Sequence, residues 1–170
     1  MYVITFANPK GGSGKTTSAM LFAEQIAISG GRVAILDLDP NANILAWAQT
    51  REAEGRDVPF TVHARPQAEE TVELIDSLSD EADYLIIDLE GSKDQIVTFA
   101  LSRTDLCIIP LDGSPMEARQ AAQAVRLVQT TANMIRAQIN YALLFTRTNA
   151  AFQTALHPHL PGRCALVRAA

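Results

Sequence analysis

The chain has little of what marks secreted, membrane-spanning or metal-cluster proteins. Its two cysteines, Cys107 and Cys164, are far apart and outside any CxxC pair, so neither a zinc site nor an iron–sulfur cluster is expected. No apolar run approaches the ~20 residues that a membrane span requires. Residues 1–7 lack the basic region of a secretory signal and have the composition of a strand. We therefore expect a cytoplasmic protein with no membrane partner.

Length and composition indicate one globular domain over residues 1–170. A chain of this length can enclose one sizeable core, and 48% of its residues are apolar, which argues against disorder. Charge is divided unevenly: residues 1–114 contain 8 basic and 18 acidic residues, whereas residues 115–170 contain 6 arginines and one glutamate. A basic C-terminal third can face an anionic polymer such as DNA, but arginines scattered over solvated helix faces give the same composition.

Apolar strands alternate with amphipathic helices along the chain. Strands are predicted at residues 2–7, 32–39, 60–64, 84–91, 105–111 and 141–145, and helices at 15–29, 44–54, 67–78, 94–102, 115–134 and from about residue 149. This alternation predicts an α/β fold of three layers, in which a mostly parallel, twisted sheet has helices on both faces. Ligands bind such sheets at the carboxyl ends of the strands, where most of the candidate chemical groups of this chain follow the predicted strands.

The segment NPKGGSGKTT, residues 8–17, follows the first predicted strand and begins the first predicted helix. This is the context of a phosphate-binding loop, whose glycines let successive backbone N–H groups point at an anion. The helix N-terminus adds its positive dipole end. In such a loop Lys15 reaches the β- and γ-phosphates, the Thr16 hydroxyl binds Mg²⁺ and Thr17 reaches the α-phosphate. The alternative is a glycine-rich turn without a ligand.

The loop departs from the generic pattern at two positions. Pro9 stands where a glycine is usual, and Lys10 is an additional lysine. With these residues, KGGSGKTT resembles the deviant Walker A loop, K-G-G-x-G-K-T/S, of the ParA/MinD ATPase family. In that family the first lysine crosses the interface of a dimer that encloses two ATP molecules, and it contacts the partner's nucleotide.

The resemblance implies ATP and Mg²⁺ as ligands and a catalytic role for both loop lysines, because cations offset the phosphate charge that develops during hydrolysis. Lys10 would act across the dimer interface and Lys15 within its own site. The expected nucleotide contacts in the loop form one continuous run: Lys10, Gly11, Gly12, Ser13, Gly14, Lys15, Thr16 and Thr17.

Acidic residues that follow two further strands resemble the other motifs of the family. ILDLDP, residues 35–40, corresponds to the second motif, in which Asp39 is expected to orient or activate the attacking water and Asp37 to support the Mg²⁺ shell. YLIIDLEG, residues 84–91, resembles the Walker B strand, in which Asp88 would hold Mg²⁺ through a water. The predicted metal set is therefore Thr16, Asp37 and Asp88.

Two weaker correspondences complete the expected site. Glu90 and Gly91 follow the Walker B strand, where the Gly91 N–H could meet the γ-phosphate and Glu90 could have a switch or a structural role. LLFTRTN, residues 143–149, falls where the family often has an Asn-Arg pair that reads the adenine. Here the pair is Thr146-Arg147, a variant that occurs among small ParF-like partition ATPases, so adenine recognition is implied by the resemblance alone.

The loop is most similar to that of the ParF-like plasmid partition ATPases, and the resemblance extends from residue 1 to about residue 157. It implies an ATP-dependent homodimer that hydrolyses ATP slowly, binds DNA non-specifically and associates with the nucleoid in the ATP form. A ParB-like or other centromere-binding protein would stimulate hydrolysis. The candidate DNA contacts are Arg119, Arg126 and Arg136. ParF-like proteins continue with another strand or two and a closing helix, so that this sequence is either naturally minimal or truncated.

Other functions are compatible with the same loop. Dethiobiotin and cobyrinate synthases activate a carboxylate with ATP, but they need a substrate pocket formed by inserted loops, which this compact sequence does not show. A positioning ATPase can also have a protein cargo. An ATP-dependent binding switch without hydrolysis is disfavoured by Asp39, because a pure switch does not require that acid.

Overall fold

The computed structural model describes residues 1–90, 95–112, 114–146 and 164–168, the last range as backbone only. The strands are β1 (Tyr2–Phe6), β2 (Val33–Asp37), β3 (Thr61–His63), β4 (Tyr84–Asp88), β5 (Leu106–Leu111), β6 (Asn140–Phe145) and β7 (Cys164–Arg168). The α-helices are α1 (Lys15–Ile28), α2 (Asn43–Ala53), α3 (Thr71–Ser77), α4 (Gln95–Ser102) and α5 (Pro115–Ile135). Short 3-10 turns, Ala68–Glu70 and Leu78–Asp80, flank α3.

The strands form one sheet in the order β3-β2-β4-β1-β5-β6-β7, and every neighbouring pair is parallel. The predicted α/β fold with a parallel sheet is confirmed. β1 lies in the middle of the sheet between β4 and β5, so the segment that follows it is flanked by the ends of both neighbours. Polar residues after β1, β2 and β4 therefore meet at one edge, where parallel sheets bind their ligands.

Alternating side chains of the strands form two cores, one on each face of the sheet. Phe6 of β1 packs with residues of α1 and α2 on one face. Val3 of the same strand packs with residues of α3, α4 and α5 on the other. Burial on both faces explains why the central strands are almost continuously apolar, and it confirms the predicted three-layer arrangement.

Two local predictions differ from the structure. The helix predicted at residues 67–78 contains only seven α-helical residues, Thr71–Ser77, because tighter 3-10 turns replace both of its ends. The predicted strands end at residue 145, whereas the structure adds β7, which pairs with β6 from Cys164 to Arg168. Its sequence, CALVR, contains a single β-branched residue and ends in a charged one, which gives a weak strand signal. The helix predicted from about residue 149 lies outside the described residues.

No helix in the described part of the chain combines the length and the apolar character needed to cross a bilayer. α5 is the longest helix at 21 residues, but charged side chains such as Arg119 and Arg126 are exposed along it.

Candidate nucleotide site

The glycine-rich loop joins the end of β1 to the start of α1. Gly12 and Gly14 have φ angles of 76° and 94°, in the left-handed region that favours glycine. Gly14 is also crowded, because a Cβ added there would lie 3.3 Å from Cγ2 of Thr146. Gly14 is the N-cap of α1 and offers no side-chain cap, which leaves the first N–H groups of the helix available to an anion. The backbone thus has the form that a phosphate-binding loop requires.

Lys15 extends into this loop from the first residue of α1. It is buried, and its Nζ donates a hydrogen bond to the carbonyl oxygen of Lys10 at 3.1 Å. Burial lowers the pKa of the Lys15 ammonium, and the negative charges of Asp88, Asp39 and Glu90 oppose that shift. An ammonium group that is desolvated within a ring of N–H groups has a strong electrostatic reason to bind phosphate.

Asp88 is a buried carboxylate whose ionised form is disfavoured by its surroundings. It is 1% exposed, and neither of its oxygens has a hydrogen-bond partner. Burial is the main cause that raises its pKa from 3.8 to about 6, and the nearby charge of Asp37 adds to the effect. The Thr16 hydroxyl is close enough to offset part of this shift, although the two groups do not form a well-aligned hydrogen bond.

The orphaned oxygens of Asp88, together with the neighbouring Thr16 hydroxyl, fit a hard divalent cation such as Mg²⁺. In the described part of the chain no group of three or more His, Cys, Asp or Glu is arranged to hold a metal. Mg²⁺ does not need such a cage, because it is usually bound by one or two carboxylates, several waters and substrate phosphates.

The Asp37 carboxylate accepts hydrogen bonds from three backbone N–H groups. Its Oδ2 accepts hydrogen bonds from the N–H groups of Ile44 at 3.0 Å and Leu45 at 3.2 Å, and its Oδ1 accepts one from Asp39 at 3.3 Å. Burial raises the pKa of Asp37, and these N–H donors counteract the shift. Asp37 therefore caps the start of α2, whose own N-cap residue, Ala42, has no side-chain oxygen to do so. Its role in the Mg²⁺ shell stays a prediction.

Asp39 projects from the turn after β2, where Asn41 holds it. The backbone N–H and the side-chain Nδ2 of Asn41 both donate to Oδ1 of Asp39, each at 2.8 Å. The second carboxylate oxygen of Asp39 stays available for another partner such as a water. The sequence motif identified Asp39 but not Asn41, although the D-P-N spacing is typical of an Asx turn.

An open cleft of about 560 Å³ brings most of the predicted residues together, a volume in the range of small-molecule sites. It lies between the phosphate loop, the turn after β2 and the end of β4. Its lining consists of Pro9, Gly11, Gly12, Gly14, Lys15, Thr16, Thr17, Asp39, Asn41, Asn43 and Glu90. Glu90 therefore lies where a switch residue would meet the nucleotide, and that role stays a prediction.

Thr146 supports the phosphate loop from the end of β6. Its backbone N–H donates to the carbonyl oxygen of Leu111 at 2.8 Å, and its hydroxyl lies 3.2 Å from the carbonyl oxygen of Ser13. This contact fixes the loop, and the predicted contact of Thr146 with the base stays a prediction. Arg147, the other half of the predicted base-reading pair, and Gly91 lie outside the described residues, so their roles stay predictions.

Asn8 and Glu117 also contribute to the site, and the sequence motifs did not single them out. The buried Asn8 donates to the carbonyl oxygen of Pro110 at 2.6 Å and accepts the Lys10 N–H at 2.9 Å, which joins the phosphate loop to the end of β5. Oε1 of Glu117, on α5, forms a 2.6 Å ion pair with Nζ of Lys10. The signal for Glu117 was S-P-M-E, residues 114–117, a capping pattern at the start of α5.

The three candidate DNA contacts lie away from the cleft. Arg119 and Arg126 are exposed on α5 and are seven residues apart, which places them on one helix face. Arg136 is the exposed C-cap of the same helix, with a φ angle of 53°. Their predicted contact with DNA stays a prediction.

The parallel sheet, the left-handed glycines after its central strand and the buried loop lysine together define a phosphate-loop nucleotide-binding protein of the ParA/MinD type. Residues 2–151 match the model of the family described as ATPase MipZ, and the chain belongs to this ATPase family. The resemblance found in the phosphate loop is thereby confirmed over most of the chain.

Individual relatives agree with this assignment. The chain is 31% identical over 156 residues to the protein ParA of Rhizobium radiobacter, which covers 91% of this chain and 68% of that protein. A plasmid partition protein of Borrelia burgdorferi bound to AMPPNP has the same fold, with a TM-score of 0.69, 20% identity and coverage of 88% and 77% of the two chains. The structure of cobyrinic acid a,c-diamide synthase from Mycobacterium smegmatis with an ATP analogue and magnesium has the same fold. Its TM-score is 0.70 at 20% identity, and the match covers 87% of this chain and 77% of that chain. At this identity the two structures establish the fold alone.

Proposed function

We propose that the protein is a ParA-type partition ATPase that binds ATP with Mg²⁺, dimerises around two nucleotides and hydrolyses them slowly until a partner protein stimulates it. One observation carries the proposal: Lys15, Thr16 and Asp39 line the same cleft, with Asp88 buried next to Thr16. The groups to which the proposal assigns phosphate binding, metal binding and water positioning therefore lie at one place.

Within one chain, the loop N–H groups and Lys15 bind the phosphates, and Asp88 with Thr16 would hold Mg²⁺. When bound, Mg²⁺ supplies positive charge that neutralises the phosphate oxygens. Asp39 accepts a hydrogen bond from the water that attacks the γ-phosphate, and Asn41 keeps the Asp39 carboxylate in a fixed rotamer. Hydrolysis is slow in a single chain because, among the lysines and arginines that the structure describes, Lys15 alone lines the cleft.

Lys10 supplies that second cation to the partner. The two loop lysines have opposite surroundings: the Lys15 ammonium is buried inside the loop, whereas the Lys10 side chain is 35% exposed and extends toward the start of α5. A lysine that extends away from its own loop is placed to meet a second molecule, and two chains that face each other would exchange these cations. This exchange makes ATP binding by both chains a condition of dimerisation.

The DNA-related part of the proposal rests on the ParA relative and on charge. Arg119, Arg126 and Arg136 present exposed positive charge on and after α5, and the acidic residues are concentrated before residue 115. Such binding would be directed at phosphates and would weaken steeply with salt. A ParB-like centromere-binding protein is the expected partner that stimulates hydrolysis.

The experiment is size-exclusion chromatography with light scattering on the wild-type chain and on Lys10→Ala. Each protein is measured without nucleotide, with ADP, and with a slowly hydrolysed ATP analogue plus Mg²⁺. The proposal predicts a dimer only with the ATP analogue, and only for the wild type. A wild-type monomer in every state, or an unchanged dimer of Lys10→Ala, would remove the proposed mechanism. ATP turnover that requires a small carboxylate substrate would point instead to a synthase.

A further inference from the structure

Glu117 is the only acidic residue after residue 114, and it is buried at the start of α5. Its Oε1 lies 2.6 Å from Nζ of Lys10, and its Oε2 accepts the N–H of Asp112 at 2.6 Å. Its own N–H donates to Oγ of Ser114, the N-cap of the helix. The lysine that the proposed function assigns to a partner's nucleotide is thus paired with a carboxylate of its own chain.

We propose that Glu117 is a latch: it holds the Lys10 ammonium against α5 of the same chain until the nucleotide of a second chain competes for it. The inference rests on the proposed function, because it requires Lys10 to act on a partner's nucleotide. It assigns to Glu117 a positioning role that controls when the dimer forms.

The Glu117 carboxylate can lose Lys10 without becoming an orphan. Oε2 keeps the Asp112 N–H, and the carboxylate lies in the first turn of a 21-residue helix, where the N-terminal dipole favours negative charge. Loss of one partner destabilises a buried charge much less when other hydrogen bonds remain than when the charge becomes unpaired. Release of Lys10 is therefore compatible with an intact α5.

Release also leaves the phosphate loop in place. The backbone N–H of Lys10 donates to Oδ1 of Asn8, and Nδ2 of Asn8 donates to the carbonyl oxygen of Pro110. These two bonds attach the loop backbone to β5 wherever the Lys10 side chain points. The latch therefore opens by rotation of one side chain, which is fast.

The competition is decided by charge. Glu117 offers Lys10 a single negative charge, whereas the triphosphate of ATP offers several, and the γ-phosphate that ADP lacks is the group expected to be nearest the interface. The latch thus keeps chains that hold ADP, or no nucleotide, from associating through Lys10, and it yields when both chains hold ATP.

The variant that tests the latch is Glu117→Gln, which keeps an acceptor for the Asp112 N–H and removes the charge. Glu70→Gln is the matched control: Glu70 also begins a helical segment and accepts a backbone N–H, from Gln67 at 3.3 Å, but it is exposed and does not line the cleft. Glu117→Asp is a second variant. It retains the negative charge at the helix start, but its shorter side chain places that charge farther from Lys10. Thermal unfolding checks that each variant is folded.

The measurement is the protein concentration at half-dimerisation with the slowly hydrolysed ATP analogue and Mg²⁺, by sedimentation. We expect Glu117→Gln to dimerise at a concentration at least about tenfold lower than the wild type, since each of the two chains loses one charge-assisted bond that opposes dimerisation, and Glu117→Asp to shift in the same direction. Glu70→Gln is expected to match the wild type. Addition of Lys10→Ala to Glu117→Gln should cancel the gain.

The outcomes separate the latch from the proposed function. If the wild type dimerises with ATP and Glu117→Gln dimerises equally well, the latch is refuted and the proposed function is retained. If Glu117→Gln dimerises less well, as Lys10→Ala does, Glu117 orients Lys10 toward the partner and the latch is again refuted. If neither wild type nor Glu117→Gln dimerises, the proposed function fails and the latch with it.

Discussion

Asp88 should destabilise the nucleotide-free protein at neutral pH, because its carboxylate is buried without a hydrogen-bond partner. Burial raises its pKa to about 6 from the 3.8 of a free side chain. The folded chain therefore binds this proton more tightly than the unfolded chain does. The stability that results is complete below about pH 4 and is lost as the pH rises through about 6.

The magnitude follows from the pKa difference of about 2 units. At about 1.4 kcal/mol per unit, full ionisation costs about 3 kcal/mol, of which about 2 kcal/mol is lost between pH ~4.5 and pH ~7.5. Asp88→Asn cannot ionise, so its free energy of unfolding lacks this loss. The difference between variant and wild type should therefore change by about 2 kcal/mol over that range, in favour of the variant at the higher pH.

Urea unfolding of both proteins at the two pH values measures this change, and the fixed cost of the buried amide cancels in the comparison. Asp83→Asn is the control, because Arg32 lowers the pKa of this exposed carboxyl through its hydrogen bonds. Its contribution is present above the pKa of the unfolded chain and is lost as the pH falls, which is the opposite sign. The assignment of Asp88 as an orphaned carboxylate would be refuted if the difference between Asp88→Asn and the wild type stayed constant with pH. It would also be refuted if that difference shifted in favour of the wild type as the pH rises.

Three further substitutions test the site by nucleotide binding and hydrolysis. Lys15→Ala should weaken ATP binding by about 2–5 kcal/mol in calorimetry, since it removes the buried cation of the loop; an affinity equal to that of the wild type would contradict this. Gly14→Ala should lose most nucleotide affinity, because the left-handed backbone and the 3.3 Å contact with Thr146 both oppose a Cβ. Gly30→Ala is the control: Gly30 has a similar φ of 90° but lies in open space, so this variant should bind nucleotide normally. Asn41→Ala should lower kcat about tenfold or more with little change in KM, because it frees the Asp39 side chain; a change in KM alone would assign Asn41 to binding.

Much of the fold was predictable because the chain alternates clear apolar strands with helices. β1, β4 and β5 are buried on both faces, and such strands give the strongest signal in the sequence. β7 was not predicted, because its sequence, CALVR, contains a single β-branched residue and a terminal arginine and so gives only a weak strand signal. Its position depends on pairing with β6.

The site was predictable to the extent that its residues belong to short motifs. The loop from Lys10 to Thr17 and the acids after β2 and β4 could be located from spacing and resemblance. The residues that orient them could not: Asn8 acts on the loop from its start, and Glu117 is separated by 107 positions from the lysine it holds. Such contacts depend on which strand ends are neighbours in the sheet. Asp37 is a related case, because its capping of α2 is visible only once the helix start is located.

The central claim is that ATP hydrolysis requires two chains, and the direct test is the rate of ATP hydrolysis per chain as a function of protein concentration. With Mg²⁺ and saturating ATP, we predict that the rate per chain rises with concentration and then levels off as dimers fill, while Lys10→Ala stays low and flat throughout. A rate per chain that is independent of concentration, with Lys10→Ala as active as the wild type, would show that a single chain is a complete ATPase and would contradict the account.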